Sequence, residues 1–150
     1  MGVTQEGVAM NKAVLVDIDG TLVGITPNWS MDRDAEWVEE TLKAEVYTDA
    51  VEMLHQYKKE GYKLVVVTAR GQSCKANTWK KFREMGIDTL VDSVWHRPVA
   101  WEGKDSASYK EAMIKRLSKK YNFVWAMEDE DRNKEVMTAA GMQIWHGEGK

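Results

Sequence analysis

The stretch Ala13-Val14-Leu15-Val16-Asp17-Ile18-Asp19-Gly20-Thr21-Leu22 decides the fold. Its four leading apolar residues read as a short buried strand that stops at a carboxylate. Two aspartates so close together repel each other. At the end of a buried strand they cost free energy unless a cation or a phosphoryl group needs them. Asp17 is a candidate nucleophile that attacks phosphorus and forms an aspartyl phosphate. Asp19 is a candidate acid and base, protonating the leaving oxygen and later activating water. Gly20 lets the backbone turn tightly near a phosphate. The Thr21 hydroxyl and nearby amides offer donors to phosphate oxygens. Read alone, an Asp-x-Asp pair is as often a loop start or a plain metal site.

Working outward, the same pattern recurs. Residues 64–67 form a second apolar run, followed by Thr68. Residues 123–127 form a third, followed by Glu128 and Asp129. Residues 142–145 are a fourth, and a further strand is expected at 90–94. Helical patterns lie between them. Thr48 reads as an N-cap, with Val51, Leu54 and Tyr57 on one face and Gly61 as the stop. Residues 73–85 put Trp79 and Phe82 on one side before Gly86, 106–120 carry Met113, Ile114 and Leu117, and 131–140 end at Gly141. Alternation of strands and helices predicts βαβ units, a parallel sheet and an α/β domain. Ligands of such sheets sit beyond the carboxyl ends of the strands, so the polar residues that end them converge.

The remaining segments bound the domain. Residues 23–47, amphipathic around Trp37, Val38 and Leu42, suit a flap or one small helix and are too short for a separate lid domain. Residues 1–12 lack the apolar centre of a signal peptide and read as a loose leader, which leaves 13–150 as one domain.

Three further groups bear on the chemistry. Thr68 offers a hydroxyl to a phosphate oxygen, and Arg70 a bidentate donor. Glu128 and Asp129, joined to Asp17, make an all-oxygen set suited to Mg²⁺. Lys110, on the helix before that strand, would offset the charge of phosphate and carboxylates. Each has a plainer reading: a solvated arginine, an exposed acidic turn at 128–131, a solvated helix lysine.

Other candidates are weak. His55, His96 and His146 lack ligand spacing, Cys74 has no evident base, and Lys115, Arg116, Lys119 and Lys120 read as a solvated face. No GxxxxGK[ST] motif occurs. The net charge of -3 argues against a generally nucleic-acid-binding surface. The single cysteine excludes an internal disulfide and suits a reducing, cytoplasmic compartment. No apolar stretch approaches the roughly 18 residues of a membrane span.

The order DIDGT, hydroxyl-ended strand, lysine and acidic pair resembles the haloacid dehalogenase superfamily. The segments DIDGTL, KLVVVTARG, YKEAMIKRL and WAMEDEDRNKEVMTAAGMQIWHGEG are similar to the phosphatase domain of phage polynucleotide kinase/phosphatase, across residues 13–150. The resemblance implies a three-layer Rossmann-like fold, sheet order 3-2-1-4-5, with a minimal cap. It implies a magnesium-dependent phosphomonoesterase, working in the cytoplasm of a bacterial, phage-infected cell, with no obligate protein partner. Asp17 would be the nucleophile, Asp19 the acid/base and Lys110 the charge-balancing lysine. Gly20, Thr21, Thr68, Ala69 and Arg70 would bind phosphate, and Asp17, Asp19, Glu128 and Asp129 would serve the metal. Glu128 stands where the family usually has Asp, and Thr68 where the phage domain more often has Ser.

The substrate implied is a polynucleotide 3′-phosphate end. A mononucleotide or other small phosphomonoester is the alternative, and a non-catalytic binding module is a third reading. For a polymer, Arg70, Lys75, Lys80, Lys81, Arg83 and Arg97 are candidates to track the strand. Trp29, Trp95 and Trp101 are candidates to stack on bases.

Overall fold

The computed structural model describes residues 11–24, 41–98, 100 and 105–147. The chain alternates β1 (Asn11–Val16), α1 (Thr48–Lys59), β2 (Lys63–Gly71), α2 (Lys75–Met85), β3 (Ser93–Arg97), α3 (Ser106–Leu117), β4 (Tyr121–Met127), α4 (Asp131–Ala139) and β5 (Gln143–Trp145). A short 3-10 turn, Gln72–Cys74, leads into α2. The five strands form one sheet in the order β3-β2-β1-β4-β5, and every pairing is parallel. This is the expected order.

Strand periodicity sorts the core into two layers. Val14 and Val16 of β1 and Leu64 and Val66 of β2 face Leu54 and Tyr57 of α1 and Phe82 of α2. Their neighbours Ala13, Leu15, Val65 and Val67 face Tyr109, Met113 and Leu117 of α3 and Met137 of α4. Both faces of the central strands are covered, which is why they read as unbroken apolar runs. Trp79, Trp125 and Trp145 pad the first layer and Trp95 the second.

Three expectations need correction. The strand expected at 90–94 lies at Ser93–Arg97. Its apolar lead-in is a turn, with the Leu90 and Val91 amides bound to the Ile87 carbonyl. Asp92 then pins the entry to β3 by accepting from the Leu64 amide and from Lys58. Thr48 is the first residue of α1 and does not cap it; Tyr47 stands at the cap without a side-chain bond. Finally, β2 continues past Thr68 to Gly71. Its regular pairing with β3 breaks after Val67 and resumes at Gly71, so Thr68, Ala69 and Arg70 form an irregular excursion.

The flap expected at 23–47 lies mostly outside the described residues. Its two ends meet: Val23 bridges Val46, the Gly24 amide bonds to the Glu45 carbonyl, and the Tyr47 amide bonds to the Leu22 carbonyl. Lys81 of α2, itself buried, donates to the Leu42 carbonyl at 2.9 Å and ties this segment to the core. The leader 1–12 is described only from Asn11. Among the described residues no helix is long and apolar enough to cross a membrane.

Candidate active site

The carboxyl ends of β1, β2 and β4 meet as the topology requires. β1 lies between β2 and β4, and the Asp17 amide donates to the Met127 carbonyl at 2.9 Å. That bond carries the β1–β4 pairing to the site and sets Asp17 beside Glu128 and Asp129. Carboxylate oxygens of these three residues lie within 4.8 Å of one another.

Lys110 reaches this cluster from α3. Its Nζ donates to Asp17 Oδ1 at 2.8 Å and to Glu128 Oε1 at 2.7 Å. The lysine is buried, as are Asp17 and Glu128. Buried charges survive only when paired and hydrogen-bonded, and here one ammonium serves two carboxylates. Burial pushes the Asp17 carboxyl upward, but the Lys110 ammonium and the surrounding hydrogen bonds outweigh it and hold Asp17 below its ordinary value. Asp17 is therefore ionised at neutral pH. Lys110 is held above its ordinary value by the two carboxylates, against the pull of burial.

The other two acids behave oppositely. Burial, then the Asp17 charge, raises Glu128 above the usual carboxylate range. Burial, and then the hydrogen bond and charge of Asp17, raise Asp129 to about 7. Without a cation, crowding makes it costly to ionise all three. Glu128 is also fixed by Asn133 Nδ2 at 3.3 Å and the Glu130 amide at 3.2 Å. Asn133 went unread in the sequence, although its place one turn into α4, after the acidic run, is a usable signal.

Thr21 and Gly20 complete this side. Thr21 Oγ1 lies 3.1 Å from both Asp17 Oδ2 and Asp129 Oδ1. Gly20 has φ +83°, and a Cβ there would collide with the Asp129 carboxylate. Only glycine satisfies both the backbone and the close approach of Asp129. The donor set fits Mg²⁺: it is all oxygen, anionic and crowded, and its raised acids gain most from a hard cation.

Asp19 faces the other way, toward β2. Arg70 Nε donates to Asp19 Oδ2 at 3.0 Å and Nη2 to Oδ1 at 2.8 Å, a bidentate fork. Arg70 is buried, and its backbone amide donates to Thr68 Oγ1 at 3.1 Å. Thr68 is equally buried. Asp19 lies outside the three-acid cluster.

A pocket opens onto Gly20, Thr21, Glu128 and Asp129, with Tyr47, Lys134, Trp145 and His146 around its mouth. The sequence reading did not single out these mouth residues for the site. Of the basic residues expected along a polymer, Lys75, Lys80 and Arg83 are exposed. Lys81 and Arg97, like Arg70, are buried. Trp29 and Trp101 lie outside the described residues, and Trp95 stacks against Arg116.

Comparison with known proteins agrees with this geometry. Residues 11–148 match the family of the polynucleotide kinase PNKP phosphatase domain. Among curated proteins none matches the chain. A chain of the Pnkp1/Rnl/Hen1 RNA repair complex superposes with TM-score 0.77 at 19% identity, over 95% of this chain and 43% of that one. The class C acid phosphatase of Bacillus anthracis with tungstate bound gives 0.65 at 15%, over 93% and 67%. The D,D-heptose 1,7-bisphosphate phosphatase of B. bronchiseptica, complexed with magnesium and phosphate, gives 0.61 at 15%, over 91% and 79%. At these identities the neighbours attest the fold. This chain spans less than half the length of the repair-complex chain. The matched family, with the sheet order and the acidic strand ends, makes this chain a member of the PNKP phosphatase-domain family within the haloacid dehalogenase superfamily.

Proposed function

We propose that the chain is a Mg²⁺-dependent phosphatase that works through an aspartyl phosphate on Asp17 and removes phosphate from polynucleotide 3′ ends. One observation carries the mechanism: Asp17, buried and ionised, has Lys110 at 2.8 Å on one carboxylate oxygen and Thr21 at 3.1 Å on the other. An oriented, ionised carboxylate is the form that attacks phosphorus.

Asp19, two residues on and held by Arg70, is placed to give a proton to the leaving oxygen and to take one from the water that follows. Lys110 offsets charge on the nucleophile side. Mg²⁺ held by Asp17, Glu128 and Asp129, when bound, would neutralise phosphate oxygens and let the dianion approach these acids. Arg70 and Thr68, assigned to phosphate in the sequence reading, act first on Asp19 and on the backbone of the β2 excursion.

The substrate class rests on three supports. The family is the phosphatase domain of a polynucleotide kinase, and one structural neighbour belongs to an RNA repair complex. The cavity mouth also offers Tyr47 and Trp145 rings beside Lys134. Aromatic stacking on a base is worth about 1–3 kcal/mol. The test is kcat/KM for a 3′-phosphorylated oligonucleotide against the matching 3′-mononucleotide, with Mg²⁺ and with EDTA. The proposal expects a higher value and a steeper salt dependence for the oligonucleotide, and no turnover in EDTA. Equal specificity constants and equal salt slopes would transfer the assignment to small nucleotides.

A further inference from the structure

Behind the Arg70–Asp19 fork lies a chain of buried polar groups that no step above uses. Arg70 Nη1 donates to Thr78 Oγ1 at 3.2 Å. Thr78, on α2, is also 3.1 Å from the Cys74 carbonyl and 2.9 Å from His96 Nε2 on β3. Thr78 and His96 are both buried. Three elements, β2, α2 and β3, thus converge on one hydroxyl.

The proton count orders this chain. A threonine hydroxyl has one hydrogen to give and two lone pairs to receive. The guanidinium can only donate and the carbonyl can only accept. Satisfying all three partners sends the Thr78 hydrogen to Cys74, and its lone pairs then receive Arg70 Nη1–H and His96 Nε2–H. His96 is thereby fixed as the Nε2–H tautomer. Burial, then the Arg70 and Lys75 charges, lower it to about 4, so the ring is neutral at neutral pH.

We propose that Thr78, with His96 behind it, is a positioning residue of the phosphatase: it holds Arg70, and through Arg70 holds the Asp19 carboxylate where proton transfer to the leaving group occurs. The proposal rests on the reading of Asp19 as acid and base. A long arginine side chain aligns a carboxylate only if its own rotamer is locked, and a neutral, tautomer-fixed donor network locks it at small entropic cost.

The test compares leaving-group release in the first turnover for two substrates. A 3′-phosphorylated oligonucleotide expels an alkoxide that must receive a proton, whereas 4-nitrophenyl phosphate expels a phenolate that leaves without one. Asp19→Asn is the reference and should slow the oligonucleotide by roughly 10²–10⁴-fold while sparing the nitrophenyl ester. Thr78→Val should slow the oligonucleotide roughly 10-fold, a fraction of the acid's full effect, with KM and the nitrophenyl rate unchanged. Thr78→Ser should restore the rate.

Equal slowing of both substrates by Thr78→Val, beside a discriminating Asp19→Asn, would overturn the positioning role and leave the acid role standing. An Asp19→Asn that fails to discriminate would remove the acid role and the proposal with it. Should Thr78→Val not fold, the unmodified protein decides: ¹⁵N NMR of His96 should show the Nε2–H tautomer. A bare Nε2 would overturn the ordered chain.

Discussion

Asp17 and Asp19 leave the same strand end two residues apart and meet opposite surroundings. Asp17 turns toward β4 and α3, where Lys110, Glu128 and Asp129 surround it. Asp19 turns toward β2 and meets a single guanidinium. On the first side one ammonium serves two carboxylates with a third nearby, so negative charge is in excess and a cation is wanted. On the second side one arginine balances one acid. Identical residues thus acquire different chemistry from the central strand's two neighbours, which is what a topological switch point provides. The excess-charge side suits a nucleophile beside a metal, and the balanced side suits an acid whose orientation matters more than its field.

Breaking each side should therefore fail differently. Asp17→Asn removes the attacking oxygen, and turnover on any phosphomonoester should vanish. Asp19→Asn should cost roughly 10²–10⁴-fold on alkyl phosphates and leave the first step on aryl phosphates nearly intact. A residual rate of wild-type size in Asp17→Asn would show the comparison to be wrong.

Lys110→Met probes the shared ammonium. It leaves Asp17 and Glu128 buried without their cation, and stability should fall by about 3–5 kcal/mol in urea unfolding. Added Mg²⁺ should return part of the loss. A variant as stable as the parent would mean that the two carboxylates do not depend on Lys110.

A smaller effect sharpens the comparison through pH. Asp129, at about 7, sits above its ordinary value of 3.8, and Glu128 is raised as well. For a raised acid, the contribution to stability is present below the unfolded value and is lost as pH rises through the folded one. The metal-free protein should therefore lose stability as pH climbs from about 4 to about 7, and level off above that. Mg²⁺ prefers the ionised acids, so the rise in Tm it produces should grow across the same interval. An Mg²⁺ increment in Tm that is flat with pH would contradict the crowded-carboxylate account.

Much of this was legible because buried parallel strands announce themselves as apolar runs ending in polar residues. The runs before Asp17, Thr68 and Glu128 placed the sheet and the acids of the site without any contact information. The exception is instructive: Ile87, Leu90 and Val91 look like strand residues but pack a turn into the core, so burial alone misplaced β3 by three residues at each end. Arg70, Lys81 and Arg97 read as cations open to a phosphate or a polynucleotide strand, because their types usually stand at the surface. Their burial follows from contacts that sequence separation hides, such as Asp19, 51 residues from Arg70, and the Leu42 carbonyl, 39 residues from Lys81. Thr78 and His96 were illegible for the same reason, each being unremarkable until β2, α2 and β3 meet.

The central claim is that Asp17 becomes phosphorylated, and trapping the intermediate tests it most directly. Asp19→Asn should still release 4-nitrophenolate once but hydrolyse the acyl phosphate slowly, because the base for water is gone. Acid-quenched protein from that reaction, with Mg²⁺, should carry one phosphoryl group on the peptide that contains Asp17, as read by mass spectrometry. Asp17→Asn should carry none. A burst of nitrophenolate with no phosphorylated peptide, or with the label on another residue, would contradict the account.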